Sequence, residues 1–259
     1  MEKVKVQKYF ERIGLEMPET IVPDAELLKK LHFAHCTHVP YENLDILRGL
    51  LPLRLDDEGL YQKVVEEGKG GYCFELNGLF AWLLRELGYK VSEYASRYLR
   101  GEATIPMRRH RVLKVEATDG VYCCDVGIGD VCPRYPVKME LGLEQPQFNE
   151  LYRFDKDDFL GWVLMDKNKG EWKPFYSFTE EPQLPQDFVA LSCYCERHPD
   201  SPFIVTEMFS LKTETGLISL DGNVYKELVN GKVTVRTLTD EEMPEAYAKF
   251  GLKYEIWRK

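Results

Sequence analysis

The chain has 259 residues, 44% hydrophobic and 30% charged, with a formal net charge of −9, the balance of an ordinary globular protein with one or two cores. The negative balance argues against general nucleic-acid or anionic-membrane binding, both of which reward clustered Lys and Arg. No run of about 18 apolar residues occurs and Met1 to Lys8 contain no apolar leader core, so the expected location is the cytoplasm, with the seven cysteines reduced.

Residues 1–88 read as a helical lobe. Asp24 is placed to cap a helix running towards Cys36. His32, His35 and Cys36 share one face of it, which invites a metal reading, but no distal ligand set accompanies them and no metal is expected. Leu55-Asp56-Asp57-Glu58 opens a second helix through Val65. Lys69-Gly70-Gly71-Tyr72-Cys73-Phe74-Glu75-Leu76-Asn77-Gly78 is a turn-to-helix junction, followed by Leu76, Leu79, Phe80, Leu83, Leu84 and Leu87 on one stripe and Gly88 as the stop. Cys73 thus falls in a first helical turn, where unpaired N–H groups and the positive end of the macrodipole favour a thiolate.

From residue 89 to 200 the period changes to two, and the runs Val91 to Tyr98, His110 to Val115 and Val121 to Val126 predict a β-rich, barrel-like part. If Glu116 faces Val121 across a four-residue turn, then Leu113, Val115, Tyr122, Cys124 and Val126 share the apolar face, and His110, Val112, Lys114, Cys123 and Asp125 the other. Asp125 is then a diagonal neighbour of His110, roughly 7–8 Å away between backbones. A tight turn at Asp119-Gly120 would instead separate them by about 13 Å along the strands. The wider register is the expected one. A thiol, an imidazole to take its proton and a carboxylate to orient the imidazole are the parts of nucleophilic acyl transfer, and Cys73, His110 and Asp125 fit those roles. Arg97, Arg100, Arg108, Arg109 and Arg111 flank the strands as candidate phosphate ligands, although strand-flanking arginines are more often solvated surface. Cys123-Cys124 and Cys193-Tyr-Cys195 lack zinc-ligand spacing. In residues 201–259, Asp221-Gly222 and Asn230-Gly231 mark hairpins, and Thr239 to Glu242 forms a capping-box signature before a helix over Met243 to Phe250.

Three ordered blocks, Gly70-Gly71-Tyr72-Cys73-Phe74-Glu75-Leu76-Asn77, His110-Arg111-Val112-Leu113 and Asp125-Val126-Gly127-Ile128-Gly129, resemble the motifs of the arylamine N-acetyltransferases. Val39-Pro40-Tyr41-Glu42-Asn43-Leu44-Asp45, Tyr9 to Gly14 and His198 to Phe203 are similar to further stretches of that family, so the likeness covers nearly the whole chain. The resemblance implies an α+β fold in three parts: a helical N-terminal lobe (1–88) supplying the cysteine, a β-barrel domain (89–200) supplying His and Asp, and an antiparallel β/α lid (201–259), around a cysteine-protease-like triad core. It further implies ping-pong transfer of acetyl from acetyl-CoA, as co-substrate, through a Cys73 thioester to an aromatic amine or hydrazine. Tyr41, Ile128, Gly129 and Phe203 are the substrate or CoA contacts it implies.

The sequence departs from the family pattern at three places. Lys69 stands where Arg usually precedes Gly-Gly-x-Cys, and Lys lacks the planar fork that orders a carboxylate. Ile128 and Tyr41 stand where Phe is usual, which bears on the acceptor pocket. An amide synthase of the same family or a cysteine hydrolase would use the same triad, and the presence of all three residues argues against a binding domain with a vestigial triad.

Overall fold

The computed structural model describes residues 2–168 and 170–254. The chain opens with α1 (Lys3–Arg12) and α2 (Ala25–His38), a two-residue strand β1 (Tyr41–Glu42), and then α3 (Leu44–Leu47) and α4 (Asp57–Tyr61). The cap expected at Asp24 forms, accepting from Leu27 N at 2.9 Å, and within the stretch expected to open the second helix it is Asp56 that caps, accepting from Gly59 N at 2.9 Å. A π-helical turn, Gln62–Glu66, follows α4 directly. Then α5 (Cys73–Glu86) runs through the middle of the main core, nearly all of it buried between Cys73 and Leu84. Gly88, with φ +91°, ends it in the left-handed region that a side chain would disfavour.

The second layer is an eight-stranded antiparallel sheet built from β2 (Lys90–Tyr98), β3 (His110–Ala117), β4 (Gly120–Cys124), β5 (Val137–Lys138), β6 (Gln145–Gln147), β7 (Glu150–Asp157), β8 (Gly161–Asn168) and β9 (Glu171–Phe178). Its order is β5-β4-β3-β2-β9-β8-β7-β6. The two edges curl towards each other, and side-chain amides bridge the seam. Gln145 hydrogen-bonds both N and O of Lys138, and Gln147 does the same for Tyr135, so two glutamines imitate a ladder that the backbone does not complete. The sheet encloses Tyr94, Val112, Cys123, Phe154, Phe175 and Phe178. Its other face lays Leu113, Val115, Cys124 and Val126 on the helical core. Glu116 pairs with Val121, the expected register, but Ala117 also pairs with Gly120, so the strands are joined by a two-residue turn at Thr118-Asp119 instead of the wider one.

One helix was not evident from the alternation: α6 (Phe188–Arg197) follows β9 and packs Phe188 and Cys195 into the helical core. A last antiparallel sheet, β1-β10-β11-β12-β13, uses β10 (Met208–Lys212), β11 (Gly216–Asp221), β12 (Val224–Val229) and β13 (Lys232–Thr237), and α7 (Met243–Lys249) covers it with Tyr247 and Phe250. The β12–β13 turn falls at Asn230-Gly231, both at positive φ, as the sequence indicates. The β11–β12 turn is centred one residue later than expected, on Gly222-Asn223, because Asp221 still pairs with Val224. No described helix is long and apolar enough to cross a membrane.

Candidate active site

Cys73 is the first residue of α5, and the chain before it is held on both sides. Gly71 N donates to Pro40 O at 3.3 Å, and Glu42 N to Gly71 O at 2.8 Å, so the segment carrying Tyr41 runs beside the cysteine turn. Only glycine fits at 70, where a Cβ would sit 2.1 Å from Pro40 O. Opposite, a Cβ on Gly127 would meet the Cys73 Cα at 2.8 Å, so glycine there lets the strand end approach the helix.

His110 begins β3, paired with Ser96, and Asp125 follows the last residue of β4. The strand ends converge: His110 Nε2 lies 2.6 Å from Asp125 Oδ2, both buried. A carboxylate partner fixes the ring hydrogen on Nε2 and leaves Nδ1 as the basic nitrogen. Asp125 Oδ1 also accepts from Asn77 Nδ2 at 2.9 Å and Gly127 N at 3.0 Å. Burial alone would raise this carboxyl, but His110, Asn77 and Gly127 outweigh it and hold it below its ordinary value. Asn77, one turn along α5 from Cys73, also donates to Arg111 O at 2.7 Å and accepts from Val126 N at 2.9 Å. One side chain thus ties the nucleophile's helix to the ends of both strands. Asn77 stands in the cysteine motif, but spacing within that motif does not reveal its role.

The thiol itself differs from the expectation. Burial pushes Cys73 well above the ordinary thiol range, with Cys195 and Asp125 acting in the same direction, against donation from the backbone of Arg111 and Phe74. The helix terminus is outweighed because the sulfur is almost fully desolvated. Its hydrogen points towards Arg109 O at 3.9 Å.

Lys69, flagged by sequence, pairs among the described residues with Glu67 at 2.8 Å. The cation under the cysteine turn is Lys63, from the π-helical turn: its Nζ lies 2.7 Å from Glu75, 2.9 Å from Asp45 and 3.6 Å from Glu42. Glu75 in turn accepts from Tyr72 N at 3.1 Å, closing the first turn of α5.

A cleft of about 560 Å³ opens over Cys73 and His110, between the barrel and the last sheet. Tyr41, Ile128, Gly129 and Phe203 all line it, while Asp125 lies behind His110. Phe203 stacks edge-on against Tyr72, with ring centroids 5.3 Å apart. Of the five candidate arginines only Arg109 reaches this cleft, paired with Glu102 at 3.1 Å. Arg111 is internal, ion-paired to Glu93 and donating to Phe74 O at 2.9 Å. The other three are held by Pro106 O, Asp166 and Glu181. Lys226, which sequence reading passed over, is the second cation in the wall, 3.8 Å from Asp130. His35 and Cys36 diverge: His35 Nδ1 meets the Tyr9 hydroxyl at 2.6 Å, whereas Cys36 meets His32 and Cys132.

A family model described as N-acetyltransferase matches residues 24–257. An arylamine N-acetyltransferase from Mycolicibacterium smegmatis is 36% identical over 83% of this chain and 78% of its own. Among solved structures, the Mycobacterium marinum arylamine N-acetyltransferase in complex with CoA is 30% identical, with a TM-score of 0.86 over 95% of this chain and 93% of that one. An arylamine N-acetyltransferase from Bacillus cereus with a Cys-His-Glu catalytic triad is 25% identical, with a TM-score of 0.88 over 96% and 99%.

Proposed function

The chain belongs to the arylamine N-acetyltransferases, and on that footing we propose that it takes acetyl from acetyl-CoA onto Cys73 and passes it to an aromatic amine or hydrazine. The observation that carries this reading is the buried 2.6 Å contact between His110 and Asp125 beside a cleft whose floor holds Cys73. Burial makes a lone Cys73 thiolate costly, so the proton must move to a base that stays close, and His110 is that base. Asp125, held ionised, stabilises the imidazolium that results. The thiolate attacks the thioester carbonyl, and the Cys73 N–H at the start of α5 faces the oxyanion, a contribution typically of about 3 kcal/mol for each such donor. CoA leaves as the thiol with the proton from His110. An aromatic amine, whose nitrogen lone pair is free at neutral pH, then attacks the stored thioester, and His110 relays its proton in the reverse sense.

Tyr41, Ile128 and Phe203 are assigned to the apolar side of the acceptor pocket, where excluding water favours transfer over hydrolysis. Gly129, at φ +73°, gives the backbone a close approach on the same wall. Arg109 and Lys226 are assigned to the CoA phosphates, each in competition with its present carboxylate partner. The division into 1–88, 89–200 and 201–259, a cytoplasmic location and small-molecule partners without nucleic acid or membrane complete the proposal.

The test is incubation with acetyl-CoA alone, followed by intact mass and peptide mapping. One acetyl on Cys73 with release of one CoA is expected, and the acetyl should then be discharged by anilines and hydrazines. Label on another cysteine, or turnover retained by Cys73→Ala, would sink the assignment. Rapid loss of the acetyl to water without an acceptor would favour the cysteine-hydrolase reading.

A further inference from the structure

A second cysteine pair lies against the backbone of Asp125 and takes no part in the transfer reaction. Cys36, on α2, and Cys132, just after the turn Gly129–Val131, have their sulfurs 3.5 Å apart, and both are buried. Cys132 Sγ donates to Asp125 O at 2.7 Å. His32 completes the group. Its Nε2 accepts from Asp125 N at 3.3 Å, which leaves the ring hydrogen on Nδ1, facing Arg134 O at 3.1 Å and Cys36 Sγ at 3.8 Å. All seven cysteines carry free thiols here. For Cys36, burial acts to raise the thiol, but Cys132, His32 and Lys212 outweigh it and bring it below its ordinary value, the reverse of Cys73.

We propose that Cys36 and Cys132 are a disulfide-forming site for hydrogen peroxide, and that the bridge slows the enzyme through the backbone of Asp125. In the first step the Cys36 sulfur attacks one peroxide oxygen and the O–O bond breaks. The departing hydroxide takes the thiol proton as water, leaving a sulfenic acid. Cys132 is already the nearest thiol. Its sulfur attacks the sulfenic sulfur, the S–O bond breaks as the S–S bond forms, and the second hydroxide leaves as water with the Cys132 proton. Two thiols give up two electrons and one peroxide becomes two waters. The sulfurs must close from 3.5 Å to about 2.05 Å, and the Cys132 S–H ceases to donate to Asp125 O. The strain falls on Gly129–Val131, which lines the cleft, and on the residue that orients His110.

The mass measurement does not depend on transfer activity. Full-length Cys73→Ala protein is treated with hydrogen peroxide, unreacted thiols are alkylated in denaturant, and peptides are mapped. Loss of about 2 Da, with the Cys36 and Cys132 peptides linked until a reductant is added, is expected. Recovery of both as alkylated thiols, or as sulfinic acids without a link, overturns the proposal. For activity, wild type and Cys36→Ser are exposed to peroxide in parallel. Wild type should lose turnover several-fold faster and regain it with dithiothreitol. Equal rates of loss assign the damage to Cys73 and overturn the coupling. Cys132→Ser serves as the second variant where Cys36→Ser does not fold, and mapping of wild type needs neither.

Discussion

Asn77 makes three hydrogen bonds with one amide, to Asp125, Arg111 and Val126, and so sets the distance between the nucleophile's helix and the proton-relay strands. Asn77→Ala should leave a folded protein whose single-turnover CoA release is slower by about 10²-fold, the cost of misplacing reacting groups by an ångström or so. A change within a few fold, with circular dichroism unchanged, would show that the strands hold their place without it. Asp125→Asn is the sharper test, because an amide presents the wrong partner to the ring. The corresponding change in a serine protease costs about 10⁴ in turnover, and acylation here should fall by orders of magnitude. That Asp125 could reach His110 was only partly legible from sequence, since both candidate registers give the same two faces and only the Glu116 to Val121 pairing brings the carboxylate within reach of the ring. The state of the thiol was not. A helix terminus can be read from Gly-Gly-x-Cys, but the desolvation that opposes it depends on how much chain packs over the sulfur, and that packing comes from segments distant in sequence. Alkylation of Cys73 by iodoacetamide should nonetheless depend on His110: His110→Ala should shift the pH–rate profile upwards, and superimposable profiles would remove the imidazole from the ionisation.

At the scale of the elements, the first turn of α5 rests on a buried cluster of three carboxylates and one cation. Sequence reading singled out Lys69 as a weakened anchor but passed over Lys63, because its inward aim comes from the π-helical turn, which shifts the side-chain register away from the 3.6 spacing used to read faces. Lys63→Met leaves the carboxylates without their cation and should destabilise by about 3–5 kcal/mol in urea unfolding, with Lys63→Arg recovering much of it. Glu75 adds a pH signature. Burial, together with Glu42 and Asp45, pushes its carboxyl from an ordinary 4.5 up to about 7, despite Lys63. Between those values only the folded state keeps the proton, so this group's contribution to stability is lost as pH rises through that window, by at most about 3 kcal/mol. Unfolding free energies at pH 5 and pH 7.5 should fall more steeply for wild type than for Glu75→Gln, and parallel slopes would mean that Glu75 is ionised throughout. Helix α6 was missed for another reason. Phe188, Leu191, Ser192 and Cys195 have helical spacing, but this short segment follows a long run of strands and carries no strong cap, so its period was absorbed into the alternation around it.

Across the whole molecule the cleft exists because one short strand belongs to two neighbourhoods. Tyr41 and Glu42 pair with Ser210 and Phe209 at the edge of the last sheet, while the same segment hydrogen-bonds the turn before Cys73. The last sheet is thereby fixed over the nucleophile, with Ser210, Ser219 and Lys226 in one row across β10, β11 and β12. Such a row could not be read from sequence, since hairpin signals give neighbours along the chain but not which face they present to another part. It yields a test of how the chain, at a net charge of −9, receives a phosphorylated co-substrate. Lys226 is partly exposed and now faces Asp130 at 3.8 Å, a pair that contributes little to stability by itself. If Lys226 meets a CoA phosphate, Lys226→Ala should raise KM for acetyl-CoA by about tenfold, the worth of one charge-assisted hydrogen bond, and leave kcat within a few fold. Asp130→Asn should act in the opposite direction, because it frees the ammonium from its competitor. Both effects should shrink as salt rises, since the Debye length falls from about 10 Å at 0.1 M to about 3 Å at 1 M. Steady-state kinetics with a fixed arylamine, at two salt concentrations, measures all of this. If the two variants shift KM in the same direction, or neither shift depends on salt, the phosphates bind elsewhere and Lys226 serves only to hold Asp130.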